Sequence, residues 1–190
     1  MINPKQTALL IIDMQNDFVE EGAIFEVPKI RKNLNSYKAF IDFCREKGAT
    51  IIYTRHCYDP KQNPIEARLF PELKRGGLRK ETRGWQIYDV LKPEKNDTVI
   101  NKTRYDAFYD TKLDNILRSK KINTLIITGT MTEVCCESTA RSAMFRDYKI
   151  LFCDDLTYTF SQKTHKHTLK VIASHFGDVT IASKIMKTIR

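Results

Sequence analysis

The run Ala8-Leu-Leu-Ile-Ile12 is apolar without a break and stops at a carboxylate, Asp13. A strand that alternates apolar and polar residues can leave one face in water. An unbroken run implies burial on both faces, as parallel sheets require. The pattern repeats: Thr50-Ile-Ile-Tyr-Thr54, Asp97-Thr-Val-Ile-Asn101, Thr124-Leu-Ile-Ile-Thr128 and Lys149-Ile-Leu-Phe-Cys153 read as strands, and Val179-Thr-Ile-Ala182 as a short one. After the first, Ile30, Leu34, Tyr37, Ile41 and Cys44 mark one face of a helix that should end near Gly48. Helical patterns at 111–120, 135–147 and 162–174, and a last one at the end of the chain, separate the others. With no linker or composition break, this predicts one three-layer α/β/α domain over residues 1–190 around a mostly parallel sheet.

One stretch does not fit the alternation. From Cys57 to Pro93 lie four of the six prolines, the pair Gly76–Gly77 and the basic run Lys74-Arg-Gly-Gly-Leu-Arg-Lys-Glu-Thr-Arg83. A connection this long inside a domain is commonly a functional lid or a subunit contact; a solvated surface loop is the plainer reading.

Composition narrows the partners. At 190 residues, 42% apolar and 29% charged, the chain can bury a core without metal or disulfide support. No apolar run approaches the roughly 20 residues needed to cross a bilayer, and Met1–Lys5 begins no leader pattern, so no membrane partner is expected. The five cysteines (Cys44, Cys57, Cys135, Cys136, Cys153) are an odd count without zinc spacing, which favours free thiols in a reducing cytoplasm. The net charge of +9 is scattered, with no clustered patch or helix-turn-helix pattern, so no nucleic-acid partner is expected.

Ligands of open α/β sheets bind where strands end and strand order reverses. The residues just past the strands are therefore the ones to weigh: Asp13 after the first, Lys102 after the third, and Gly129-Thr-Met-Thr-Glu-Val-Cys-Cys-Glu-Ser-Thr139 after the fourth. Singly they are unremarkable: a turn cap, a solvated amine, a buried thiol. Together they are the parts of an activated nucleophile, a thiol at a helix start with a carboxylate base and an ammonium. Cys135 and Cys136 compete for the role, since neighbouring side chains point about 100° apart around a helix. A redox role for this adjacent pair would need a resolving partner in reach.

The stretches Ala8-Leu-Leu-Ile-Ile-Asp-Met-Gln-Asn-Asp-Phe18, Gly84-Trp-Gln-Ile87, Ile100-Asn-Lys-Thr-Arg-Tyr-Asp-Ala-Phe-Tyr-Asp-Thr-Lys-Leu113 and Gly129–Arg141 resemble the isochorismatase-like cysteine hydrolases. That family includes nicotinamidases, N-carbamoylsarcosine amidases and ureidoacrylate amidases. The resemblance implies a Rossmann-like six-stranded sheet in the order 3-2-1-4-5-6. It implies a triad of Asp13, Lys102 and Cys135, and a cis peptide between Thr130 and Met131. It further implies an oxyanion hole from the Met131 and Cys135 N–H groups, and a homo-oligomer (dimer or tetramer). In that order Lys102 starts two strand spacings from Asp13, roughly 10 Å, which only an extended lysine can close.

The implied function is a cysteine-dependent amidohydrolase that cleaves a small amide, carbamoyl or ureido compound through a thioester. Phe18, Trp85, Tyr105, Phe108 and Glu133 are candidate substrate-binding residues, and Arg79, Lys80 and Arg83 could attract a substrate carboxylate. The alternatives are a metal-assisted nicotinamidase and a non-catalytic or redox family member. Nicotinamidases hold their metal through an Asp-x-His pair and a further His; here the stretch is Thr54-Arg-His56, so neither metal nor other cofactor is expected. Isochorismatases proper replace the cysteine, so Cys135 argues against their vinyl-ether chemistry.

Overall fold

In the computed structural model, which describes residues 1–190 apart from the side chain of Pro64, six strands form one sheet. They are β1 (Thr7–Ile12), β2 (Thr50–His56), β3 (Thr98–Lys102), β4 (Thr124–Thr130), β5 (Lys149–Tyr158) and β6 (Asp178–Thr180). Every neighbouring pair is parallel, and the order is β3-β2-β1-β4-β5-β6. The order and the parallel pairing agree with the expectation.

β1 shows why its run had to be unbroken. All six residues are buried. Leu9 and Ile11 join one core while Ala8, Leu10 and Ile12 join the other, as a period of two demands. The first core is closed by α3 (Leu34–Glu46), through Tyr37, Phe40, Ile41 and Cys44, and by Ile185 of α8 (Ala182–Thr188). The second is closed by Leu113 and Leu117 of α5 (Leu113–Ser119), Ala140 and Ala143 of α6 (Glu137–Met144), and Ile172 of α7 (Gln162–His175). Shorter helices are α1 (Asn16–Val19), α2 (Lys29–Lys32) and α4 (Pro64–Leu69).

Three local differences from the sequence pattern matter. The helical face from Ile30 to Cys44 is broken at Asn33, so α2 and α3 are separate helices. The strand expected at 149–153 continues through Asp154 and Asp155 to Tyr158, with a register shift against β4 between Ile127 and Gly129. Strands β2, β3 and β4 each run one or two residues beyond their apolar cores, and those added residues form the site. Gly129 permits the crossing of β1 and β4: its φ is +115°, and a Cβ there would lie 2.1 Å from the Ile12 carbonyl oxygen.

Candidate active site

Asp13 follows β1 at a left-handed φ of +52°, which a short polar side chain tolerates better than most. Thr54 of β2 secures it twice. The Thr54 hydroxyl donates to Asp13 Oδ1 at 2.6 Å, and the Asp13 N–H approaches the Thr54 carbonyl and hydroxyl oxygens at 3.2 Å. Lys102 ends β3, in register with His56 of β2, so both side chains leave the same face. Its ammonium reaches over the end of β2 to within 2.7 Å of Asp13 Oδ2, a charge contact off the hydrogen-bond axis, and both side chains are fully buried. The ammonium also donates to the Arg104 carbonyl at 3.0 Å and faces His56 Nδ1 at 3.3 Å.

Cys135 lies in a wide turn, Thr132–Cys136, between β4 and α6, where the Cys136 N–H reaches back five residues to the Met131 carbonyl at 3.1 Å. Its sulfur, an Asp13 carboxylate oxygen and a His56 ring nitrogen all lie within 4.8 Å of one another. Cys136 turns away and is fully buried, its sulfur 3.9 Å from the Thr128 carbonyl oxygen. Of the two adjacent thiols, only Cys135 faces a cavity. The Met131 N–H, just past the cis Thr130–Met131 peptide, has no acceptor among the described residues.

Burial raises the Cys135 thiol above its ordinary range, against the pull of the Lys102 charge, and the Asp13 carboxylate raises it further. The thiol is therefore protonated at neutral pH. For Lys102, burial opposes the charge, but Asp13 and Cys135 outweigh it and hold the group above a free lysine. A protonated thiol beside a carboxylate and a locked ammonium has its proton acceptor and its counter-charge already in place.

The cavity holds about 300 Å³. Leu69, Phe70, Leu73 and Leu78 wall it from the Cys57–Pro93 connection; Phe18 of α1 and Met131, Val134 and Cys135 after β4 complete the apolar wall. The polar remainder is His56, Glu66 and Tyr105. Glu66 Oε1 lies 2.9 Å from His56 Nε2, close but off the hydrogen-bond axis, and Glu66 Oε2 accepts from Asn63 Nδ2 at 2.9 Å. Burial, with Glu66 and Cys135 nearby, pushes the Tyr105 phenol up to about 12.

Residues 7–183 match the Isochorismatase domain. The chain belongs to the isochorismatase family. The ureidoacrylate amidohydrolase RutB of Caulobacter segnis is 30% identical over 208 residues, covering 98% of this chain and 87% of that protein. A cysteine hydrolase from Pseudomonas syringae pv. phaseolicola superposes with a TM-score of 0.92 at 27% identity, over 98% of this chain and 93% of that one. The N-carbamoylsarcosine amidase of Thermoplasma acidophilum superposes with a TM-score of 0.82 at 25% identity, over 93% and 96%.

Against the expectations for an isochorismatase-family hydrolase, the structure brings Asp13, Lys102 and Cys135 together, and it puts Phe18 and Tyr105 in the cavity wall. Trp85, Phe108 and Glu133 lie outside that wall. The Trp85 ring is covered by the Arg55 guanidinium at 3.7 Å, and its carbonyl accepts from Gln15. Phe108 stacks with Tyr148 in the second core. Glu133 Oε1 accepts from Thr159 at 2.6 Å. The basic run is also elsewhere: Arg79 caps the Tyr58 ring at 4.3 Å, Arg83 pairs with Glu20, and Lys80 is exposed. His165 of α7 touches the start of the Cys135 turn: Nδ1 is 3.0 Å from Thr132 Oγ1, and Nε2 is 2.8 Å from Asp154.

Glu66 had no signal in the sequence. It sits in α4, a single short helix of the Cys57–Pro93 connection, where no periodicity or motif marks a residue as inward-facing.

A nicotinamidase-type metal does not fit this donor set. Asp13, His56 and Cys135 do converge, but the Lys102 ammonium sits against two of them and already supplies the positive charge. Thr54, where the resemblance calls for a ligand carboxylate, has its hydroxyl engaged by Asp13.

Proposed function

We propose that this hydrolase is a cysteine-dependent amidohydrolase acting on a small amide, carbamoyl or ureido compound. The observation that carries the reading is the meeting of Cys135, which lines the cavity, with Asp13 and Lys102 buried directly behind it. The amidohydrolase relatives agree with it.

Asp13 takes the Cys135 proton as sulfur attacks the carbonyl carbon, because a raised thiol has no standing thiolate to offer. Lys102 balances the negative charge shared by sulfur and carboxylate. The carbonyl oxygen, now anionic, is received by the backbone N–H groups of Met131 and Cys135. Asp13 returns the proton to the leaving nitrogen, the C–N bond breaks, and an acyl or carbamoyl thioester remains. Water then gives a proton to Asp13 while its oxygen attacks the thioester, and sulfur leaves to be reprotonated by the same carboxyl group.

The test is an ammonia-release screen over nicotinamide, N-carbamoyl acids, ureidoacrylate and biuret, with mass spectrometry of the trapped adduct. Cys135→Ala should lower kcat by at least about a thousandfold while Cys136→Ala retains turnover. Turnover surviving in Cys135→Ala, or an adduct on Cys136, refutes the assignment.

A further inference from the structure

We propose that the substrate is uncharged and carries an apolar group, and that Glu66 is the specificity residue that turns carboxylate-bearing compounds away. This deepens the amidohydrolase reading and rests on it.

The side of the cavity facing Cys135 across the opening is hydrocarbon: Leu69, Phe70, Leu73 and Leu78. A carboxylate lodged there gives up its hydration and meets no donor in return, whereas an alkyl or aryl group gains by the same burial. No arginine or lysine lines the cavity among the described residues. Lys102 lies behind it, fully buried, donating to the Arg104 carbonyl and set against Asp13 Oδ2 and His56 Nδ1. Arg104 borders the neighbouring outer cleft, with its two NH groups on the Thr103 and Gln62 carbonyls.

The wall carries an acidic side chain instead, Glu66. Glu66 is 8% exposed and held by Asn63 and His56, so it cannot swing out to make way. A substrate carboxylate would face it across the cavity, where like charges repel. The Glu66 oxygens offer acceptors to the N–H groups of an amide or urea, which a neutral substrate carries and a carboxylate does not. The curated relative's ureidoacrylate bears such a carboxylate, so this chain and that relative are expected to differ in substrate although they share the family.

Matched pairs test this: butylurea against 3-ureidopropionate, and 4-methylbenzamide against 4-carbamoylbenzoate. Wild-type enzyme should favour the neutral member by at least about tenfold in kcat/KM. Glu66→Gln should narrow that ratio by raising the acid member. Binding to Cys135→Ala, measured by calorimetry, reads the preference without turnover. There the neutral member should bind and the acid should bind more weakly. An acid that binds or turns over as well as its neutral partner, a neutral member that does not bind, or a ratio untouched by Glu66→Gln overturns the proposal. Selective neutral binding with no ammonia release by wild type would sink the amidohydrolase reading and leave the cavity preference standing.

Discussion

Lys102 Nζ lies 2.7 Å from Asp13 Oδ2 although β2 runs between the two backbones, and neither side chain touches water. The contact joins the outermost strand to the centre of the sheet through an extended lysine. Removing one partner of a buried ion pair strands the other charge, which costs about 3–5 kcal/mol. Lys102→Met should lower unfolding free energy in urea by that order, and Asp13→Asn by less, because the amide keeps its shape and its bond with Thr54. Activity should vanish in both. A Lys102→Met protein as stable as wild type would mean that the pair is not closed in solution.

Thr54 makes a subtler prediction. Its hydroxyl donates to Asp13 Oδ1 and approaches the Asp13 N–H, in a fully buried setting. Thr54→Val keeps the volume and deletes the hydroxyl, so a carboxylate oxygen loses a charge-assisted partner worth about 1.5–3 kcal/mol. Stability should fall by that order in urea titration, and kcat should fall more than KM rises, since Asp13 is the group disturbed. An unchanged kcat would show that Asp13 needs no such support.

The parts of this molecule legible in the sequence share one property: hydrophobic patterning decides them. Ala8–Ile12 reads as a doubly buried strand and Leu34 to Cys44 as an amphipathic helix, because those conformations bury those sets; the expected continuation of the helix back to Ile30 is broken at Asn33. The resemblance added the Asp13, Lys102 and Cys135 set, which residue chemistry alone could not choose over one with Cys136. What stayed hidden was decided by tertiary contact between polar residues. Arg55-His56, Lys102 and Gly129-Thr130 continue their strands through ladder pairing that no apolar pattern announces. Asp154 and Asp155 read as a strand end, yet β5 passes through them by shifting register. Glu66 is placed by Asn63 and His56, the latter on another element. Trp85 and Phe108 have a pocket residue's chemistry, but Arg55 and Tyr148 claim their faces.

Gly129 gives the sharpest packing test. A methyl group there would strike the Ile12 carbonyl at 2.1 Å, and the φ of +115° already disfavours any side chain. Gly129→Ala has to push β4 away from β1 or distort the turn that follows, so a loss of about 3 kcal/mol or more is expected. Because that turn carries Cys135, alkylation of the surviving folded protein should also change rate. Gly48→Ala is the control: its φ of +85° also disfavours a side chain, but nothing lies within 4 Å of the new Cβ. A similar loss at both positions would remove the close approach as the cause.

The buried thiols make stability fall in alkali. Burial raises Cys44 to about 12, and it raises Cys135, Cys136 and Cys153 as well. In the unfolded chain each titrates near about 8.5. Between those limits the native state holds protons that the unfolded state has released, so unfolding free energy declines as pH rises. Below about pH 8 these groups are protonated in both states, and their contribution is flat. Each thiol adds a slope approaching about 1.4 kcal/mol per pH unit once pH passes 8.5. Urea unfolding under reducing conditions should therefore show a plateau to pH 8 and a steep loss by pH 10. Cys44→Ala should start less stable, because a small cavity opens in the first core, yet decline with a slope shallower by about one thiol's share. A wild-type stability that stays level from pH 7.5 to 10 would mean that these sulfurs ionise freely in the folded protein, and Cys135 would then need no base to become a nucleophile.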